Sequence, residues 1–250
     1  MAEPQVDTYR KLLRPNGDSA LNKSVPSIQP RADPAERPRA KRLSPVVRRA
    51  QILECALKVL GRDGLRAATH ASVAAAAGIA EPTAFLYFPT RVDLERAVLD
   101  EVARFLIEEL VQPMHQRNQP AAEILEICLI SFAACIDTHP DHIRIWLEWS
   151  TAIRDDLWPL YLKLQARIVT HFKTVIRRGQ RECTLPPTLG VDDAARVLVG
   201  LGHMIALMKF AGRPQADIAH VVHSLVHGYV ARDSDRRASL SKNRAKAKSL

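Results

Sequence analysis

From residue 44 to residue 230 the apolar positions recur every three or four residues, and no segment shows convincing strand alternation. Ile52, Leu53, Ala56, Leu57 and Leu60 make the first stripe. Ser44-Pro45 opens it with an N-cap serine and a proline at the first helical position, and Gly61 or Gly64 closes it. Thr69 caps a second helix over 70–77, closed by Gly78. A third runs over 81–88. Pro82 falls in its first turn, where a missing N–H costs nothing, and Phe88 precedes Pro89 and so leaves the helical region. Thr90-Arg91-Val92-Asp93 is a near capping box for a fourth helix reaching residue 111. Later helices are predicted at 120–137, 141–152, 155–180, 191–211 and 214–230, separated by His139-Pro140, Pro186-Pro187 and Gly212-Arg213-Pro214. The chain therefore reads as all-α, without an internal repeat.

The ends break this pattern. Residues 1–43 carry Pro4, Pro15, Pro26, Pro30, Pro34 and Pro38 and little apolar periodicity, so they are expected to be a disordered N-terminal extension. Residues 231–250 are expected to be a second disordered tail. The net charge of +9 belongs to these ends. Residues 1–43 hold nine Lys/Arg against five Asp/Glu, the last twenty hold seven against two, and the stretch between them is balanced. Basic tails usually mean disorder and solubility, and sometimes nucleic-acid or membrane contact, and composition alone does not choose between these. No apolar run is long and uncharged enough to span a bilayer, and the N-terminus has no signal-like apolar core, so a cytoplasmic protein is expected. Cys55, Cys128, Cys135 and Cys183 have no CxxC spacing and read as reduced, buried thiols.

The chemistry lies in the second and third helices. Joined by the short turn Gly78-Ile79-Ala80, they have helix-turn-helix proportions. Ala71, Val73, Ala74 and Ala77 give a small packing face, Ile79 plugs the turn, and Phe85 and Phe88 anchor the third helix. Glu81, Thr83, Ala84, Leu86 and Tyr87 are left to face outward, where the second helix of such a motif enters the major groove of double-stranded DNA. An ordinary helical hairpin fits the spacing as well. Just before the first helix, Arg37, Arg39, Lys41 and Arg42 form the densest basic cluster nearby, suited to a narrow minor groove. No phosphate-binding glycine loop, HExxH, GxSxG or Cys-His constellation is present, which argues against an enzyme and a bound cofactor.

Residues 44–102 resemble the DNA-binding domain of TetR-type transcription regulators. The most telling parts are the Ala77-Gly78-Ile79-Ala80 turn, the Tyr87-Phe88-Pro89-Thr90-Arg91 junction and the helix after it. Runs 37–45, 70–94 and 145–161 are similar to the LuxR/HapR-type branch, the quorum-sensing master regulators of vibrios. The third run lies in the regulatory region, which varies widely among such proteins, and so is the more specific. The resemblance implies a homodimeric regulator, a repressor or dual regulator, on a pseudo-palindromic operator. It implies DNA contact at Thr83, phosphate contact at Tyr87 and Arg91, and minor-groove contact from the arm. With Thr69, Glu81 and Leu86 these are the candidate DNA-binding residues. The chain departs from the branch at Leu86, where an asparagine is usual, and at Glu81 and Pro82, where residues are small or apolar. Leucine offers only apolar contact where asparagine could bind adenine, which puts a shared operator in doubt.

The expected organisation is a helix-turn-helix domain over 44–92 and a helical dimerisation and effector domain over 93–230. By resemblance, the last two long helices join a partner's in a four-helix bundle. Phe132, Trp146, Trp149, Trp158, Met204 and Met208 are candidates for lining a pocket for a small apolar effector, although core packing accounts for them at least as well. His220, His223 and His227 share one helix face, but no Cys, Asp or Glu is interleaved there, so a metal site is not expected.

Overall fold

Ser44 holds an extended backbone, its hydroxyl accepts from the Val47 N–H at 3.4 Å, and Pro45 begins the first helix. A computed structural model describes residues 43–66 and 68–231. Among these residues there is no strand. The helices are α1 (Pro45–Asp63), α2 (His70–Ala77), α3 (Glu81–Tyr87), α4 (Arg91–Phe105), α5 (Ala121–Thr138), α6 (Pro140–Thr151), α7 (Trp158–Arg181), α8 (Val191–Phe210) and α9 (Gln215–Leu225). None is long and apolar enough to cross a membrane.

Two ends predicted as plain α-helix are not. The fourth helix passes at Leu106–Val111 into a π stretch and then at Gln112–Gln116 into a 3-10 turn containing Pro113. The last helix ends in a second π stretch, Val226–Val230. The helix expected from residue 155 begins three residues later. Tight turns over 152–157, with the Leu157 N–H donating to Asp155 Oδ1 at 2.9 Å, lead into Trp158 and Pro159.

One continuous apolar cluster runs from Ile52 in α1 to Val230. α1 packs against α2, α4 and α6; α5 packs against α7, α8 and α9; and α7 packs against α8. The crossing of α1 over α6 is close. A Cβ on Gly61 would stand 2.5 Å from the Asp141 Cβ, so a side chain there would have to push the helices apart. Beside that crossing, the Leu65 N–H donates to both carboxylate oxygens of Glu148, at 3.1 and 3.0 Å, tying the end of α1 to α6.

All four cysteines are free. Burial pushes the thiols of Cys128 and Cys135 up to about 12, which keeps them protonated and inert. Cys183 corrects the expectation of buried thiols. It lies exposed in the turn after α7 with φ of 57°.

Candidate nucleic-acid interface

α2 is only eight residues long and its alanines supply little side-chain packing, so its ends are fixed individually. The Thr69 hydroxyl accepts from the Ser72 N–H at 3.1 Å while the Ser72 hydroxyl oxygen accepts from the Thr69 N–H at 3.0 Å, a reciprocal capping box. Thr69, expected at the DNA, thus has its hydroxyl committed to the cap. At the other end Gly78 takes φ of 65° and ψ of 35°, the left-handed conformation that favours glycine, and turns the chain. Ile79 packs against the core as expected, and Gln51 of α1 donates to the Ala77 carbonyl at 3.1 Å.

α3 begins at Glu81 with Pro82 in its first turn and with no side-chain cap from Ala80. The exposed Glu81 carboxylate therefore sits where the helix dipole is positive, which gives it a local stabilising role. Two expectations for this helix are corrected. Ala84, expected to face outward, is buried, because it lies one turn from the buried Phe88 on the same face. Phe85, expected in the core, is 44% exposed, its ring stacked on that of His70 at 4.0 Å. The outward side is Glu81, Pro82, Phe85 and the 77%-exposed Leu86, with Thr83 and Tyr87 half-buried beside it.

His70 was not singled out by the sequence. It is buried, and its Nε2–H donates to the carbonyl of Phe88 at 2.7 Å. This bond closes the start of α2 onto the end of α3. Its only sequence signal is a histidine immediately after an N-cap, which reads as a helix start and nothing more.

The Arg91 guanidinium, expected on a phosphate, is engaged within the chain. Nε pairs with Glu95 at 2.6 Å, and Nη2 donates to the carbonyls of Leu65 and Arg66 at 3.2 and 2.5 Å. Thr90 and Asp93 form the expected capping box above it. Arg49 lies over the Phe88 ring at 4.9 Å, backing α3 from α1. Arg37, Arg39, Lys41 and Arg42 lie outside the described residues.

A short capped helix, a left-handed glycine turn and a second helix with a laid-open outer face form a helix-turn-helix. Residues 52–98 match the model of "Bacterial regulatory proteins, tetR family". Over 196 residues, 75% of this chain and 91% of the relative, the sequence is 36% identical to the HTH-type transcriptional regulator LuxR of Vibrio harveyi. The chain belongs to the tetR family of bacterial regulatory proteins. As a TetR-family member it is a DNA-binding regulator of transcription, and these relationships point to regulation rather than catalysis. The fold agrees with solved structures at low identity. A TetR-family regulator from Agrobacterium tumefaciens has a TM-score of 0.65 at 17% identity, covering 75% of this chain and all of that one. FadR of Bacillus subtilis, solved with stearoyl-CoA, has a TM-score of 0.62 at 17% identity, covering 71% and 96%.

The candidates for an effector pocket do not converge in this TetR-family chain. Phe132 and Trp146 do line one apolar space, with Leu106, Leu110, Phe172 and Gly202, but its volume is about 50 Å³. Trp149 instead donates its indole N–H to the Leu157 carbonyl at 3.1 Å, and Trp158 stacks on Tyr161 at 4.8 Å. The first bond pins the turn before α7, and the second lies within the first turn of α7 itself. Met204 is exposed, and Met208 is half-buried against the core. Spacing could not tell these roles apart, because they depend on which neighbouring helix each residue meets.

Proposed function

We propose that this TetR-family chain acts as a homodimer, a repressor or dual regulator, that occupies a pseudo-palindromic operator in the bacterial cytoplasm with its two α3 helices in successive major grooves. The observation that carries the reading is the outward face of α3. Leu86 is 77% exposed beside Glu81 and Thr83, on a helix held from behind by His70, Ala84 and Phe88. An exposed leucine on such a helix suits the methyl group of thymine, and Glu81 suits a cytosine amino group. Tyr87 supplies backbone contact from the side, and Arg91 does so with whatever capacity its internal bonds leave free. The arm Arg37, Arg39, Lys41 and Arg42 adds charge in the adjoining minor groove.

Dimerisation through α8 and α9 is supported by an apolar stripe that the single chain leaves bare. Val197, Gly200, Met204 and Leu207 recur at helical spacing on α8 and are exposed. Beyond its own helix backbone, Gly200 has no atom within 4 Å of where its Cβ would stand, which leaves room for a partner helix. An effector is a further part of the proposal, supported by the acyl-CoA ligand of FadR. A space of about 50 Å³ is far below the several hundred Å³ such a ligand needs, so effector binding would have to part α5, α7 and α8. The LuxR relationship supports a quorum-sensing role.

A gel shift on the DNA upstream of the protein's own gene, at two salt concentrations, tests the reading. Specific binding that weakens steeply with salt is expected. Arg37→Ala with Arg39→Ala should reduce that binding strongly while leaving the melting temperature unchanged. Binding without sequence preference would refute the operator reading, and binding indifferent to the double variant would refute the arm.

A further inference from the structure

α9 and the π stretch after it present His223 and His227 one helical turn apart. Sequence spacing offers them no third ligand, but the fold does. Glu126 of α5 reaches both, its Oε1 3.2 Å from Nδ1 of His223 and its Oε2 2.8 Å from Nε2 of His227. The candidate ligand atoms of the three residues all lie within 4.8 Å of one another. Two imidazole nitrogens and a carboxylate oxygen this close can reach one ion at roughly 2.0–2.2 Å after small side-chain rotations. We propose that Glu126, His223 and His227 form a binding site for a divalent transition-metal ion of the zinc type, with water completing a four-coordinate shell.

Four features favour this over a plain surface ion pair. The ligands come from two helices and converge on one point, each imidazole directing a ring nitrogen at a different oxygen of the same carboxylate. The mixed nitrogen and oxygen set suits zinc, nickel or copper and disfavours magnesium and calcium. His227 lies in the π stretch, whose widened turn (the Ala231 N–H donates to the Val226 carbonyl) is the kind of irregularity often found at functional sites. The site is open to entry from solvent, since the His223 side chain is 61% exposed, while Glu126 at 25% is held in place. His220 stands one turn earlier on α9 and takes no part in the cluster. A bound ion would strap α9 to α5.

The test is titration of the full chain with Co²⁺, read by its visible spectrum, followed by displacement with Zn²⁺. One equivalent per chain is expected, with the bands of a four-coordinate ion and no thiolate charge-transfer band. Zn²⁺ should also raise the melting temperature. His223→Ala and His227→Ala should each weaken binding about tenfold or more. Glu126→Gln, nearly isosteric, should do the same while preserving the helical circular dichroism. His115→Ala, at the separate pair where Nε2 of His115 meets Nδ1 of His171 at 2.6 Å, should leave affinity unchanged. Absence of saturation, a thiolate band, or binding indifferent to the His223→Ala/His227→Ala double variant would overturn the proposal.

Discussion

His70→Ala tests how the recognition helix is held. His70 is 6% exposed, the one polar side chain buried to that degree among the described residues. Removing its imidazole deprives the Phe88 carbonyl of a donor at 2.7 Å and removes the ring stacked on Phe85 at 4.0 Å. A buried acceptor left without its partner costs about 1–3 kcal/mol. A stacked aromatic pair adds about 0.5–1.5 kcal/mol. The sum of about 2–4 kcal/mol corresponds to a fall in melting temperature of roughly 5–15 °C for a chain of this size. His70→Phe separates the two contributions, because it keeps a ring against Phe85 and removes only the donor, so about 1–3 kcal/mol of loss should remain. The assay is thermal melting at one fixed protein concentration, paired with operator affinity measured well below the melting range. Since the bond fixes α3 to α2, affinity should fall in both variants even where the chain is fully folded. A His70→Ala protein that melts within about 1 °C of the parent and binds its operator unchanged would refute the reasoning.

Arg91→Ala should lower stability by about 1–2 kcal/mol, because its fork holds two loop carbonyls as well as Glu95, and Arg91→Lys should fail to restore it; a melt unchanged by the alanine variant would leave only a DNA role. Glycine to alanine should act with opposite sign at two helical sites. Gly202→Ala meets only Trp146 at 3.8 Å and should stabilise by about 1 kcal/mol. Gly61→Ala, 2.5 Å from the Asp141 Cβ, should be destabilising because overpacking of about 1–3 kcal/mol outweighs that gain; thermal melts of the pair decide it. Leu207→Asp, exposed on α8, should shift light-scattering mass from dimer to monomer without loss of helical signal. Burial lowers the proton affinity of His142, His171 and His203, assisted by His139 at His142 and by His115 at His171. The unfolded chain therefore takes up protons first, and stability should fall as pH drops below about 6.5. His203→Gln should flatten that slope in melts between neutral and mildly acid pH.

Local signals in the sequence set most of the helix boundaries. Ser44 with Pro45, Thr69 with Ser72, Gly78, and Thr90 with Asp93 each act within four residues, so they are written in the sequence as directly as in the structure. Side-chain direction within α3 was less legible. Over seven residues the 3.6 period constrains the buried face weakly, and Ala84 and Phe85 exchanged places. Contacts between distant helices were not legible at all. Arg91 reaches carbonyls 25 and 26 residues away, and Trp146 meets Phe132 of α5 and His203 of α8.

The same limit explains why His223 and His227 first looked incomplete. α9 offers no acidic residue on their face, and the carboxylate that meets them stands 97 and 101 residues earlier in the chain. Periodicity along one helix describes what that helix presents and is silent on what packs against it. The loop at 64–66 shows the consequence for regulation. It receives Glu148 from α6 at Leu65, Arg91 from α4 at Leu65 and Arg66, and Asp155 at the Arg66 side chain. α2 follows this loop within a few residues. A shift of α6 against α1 would thus reach this loop through Glu148, and α3 is tied to the start of α2 through His70.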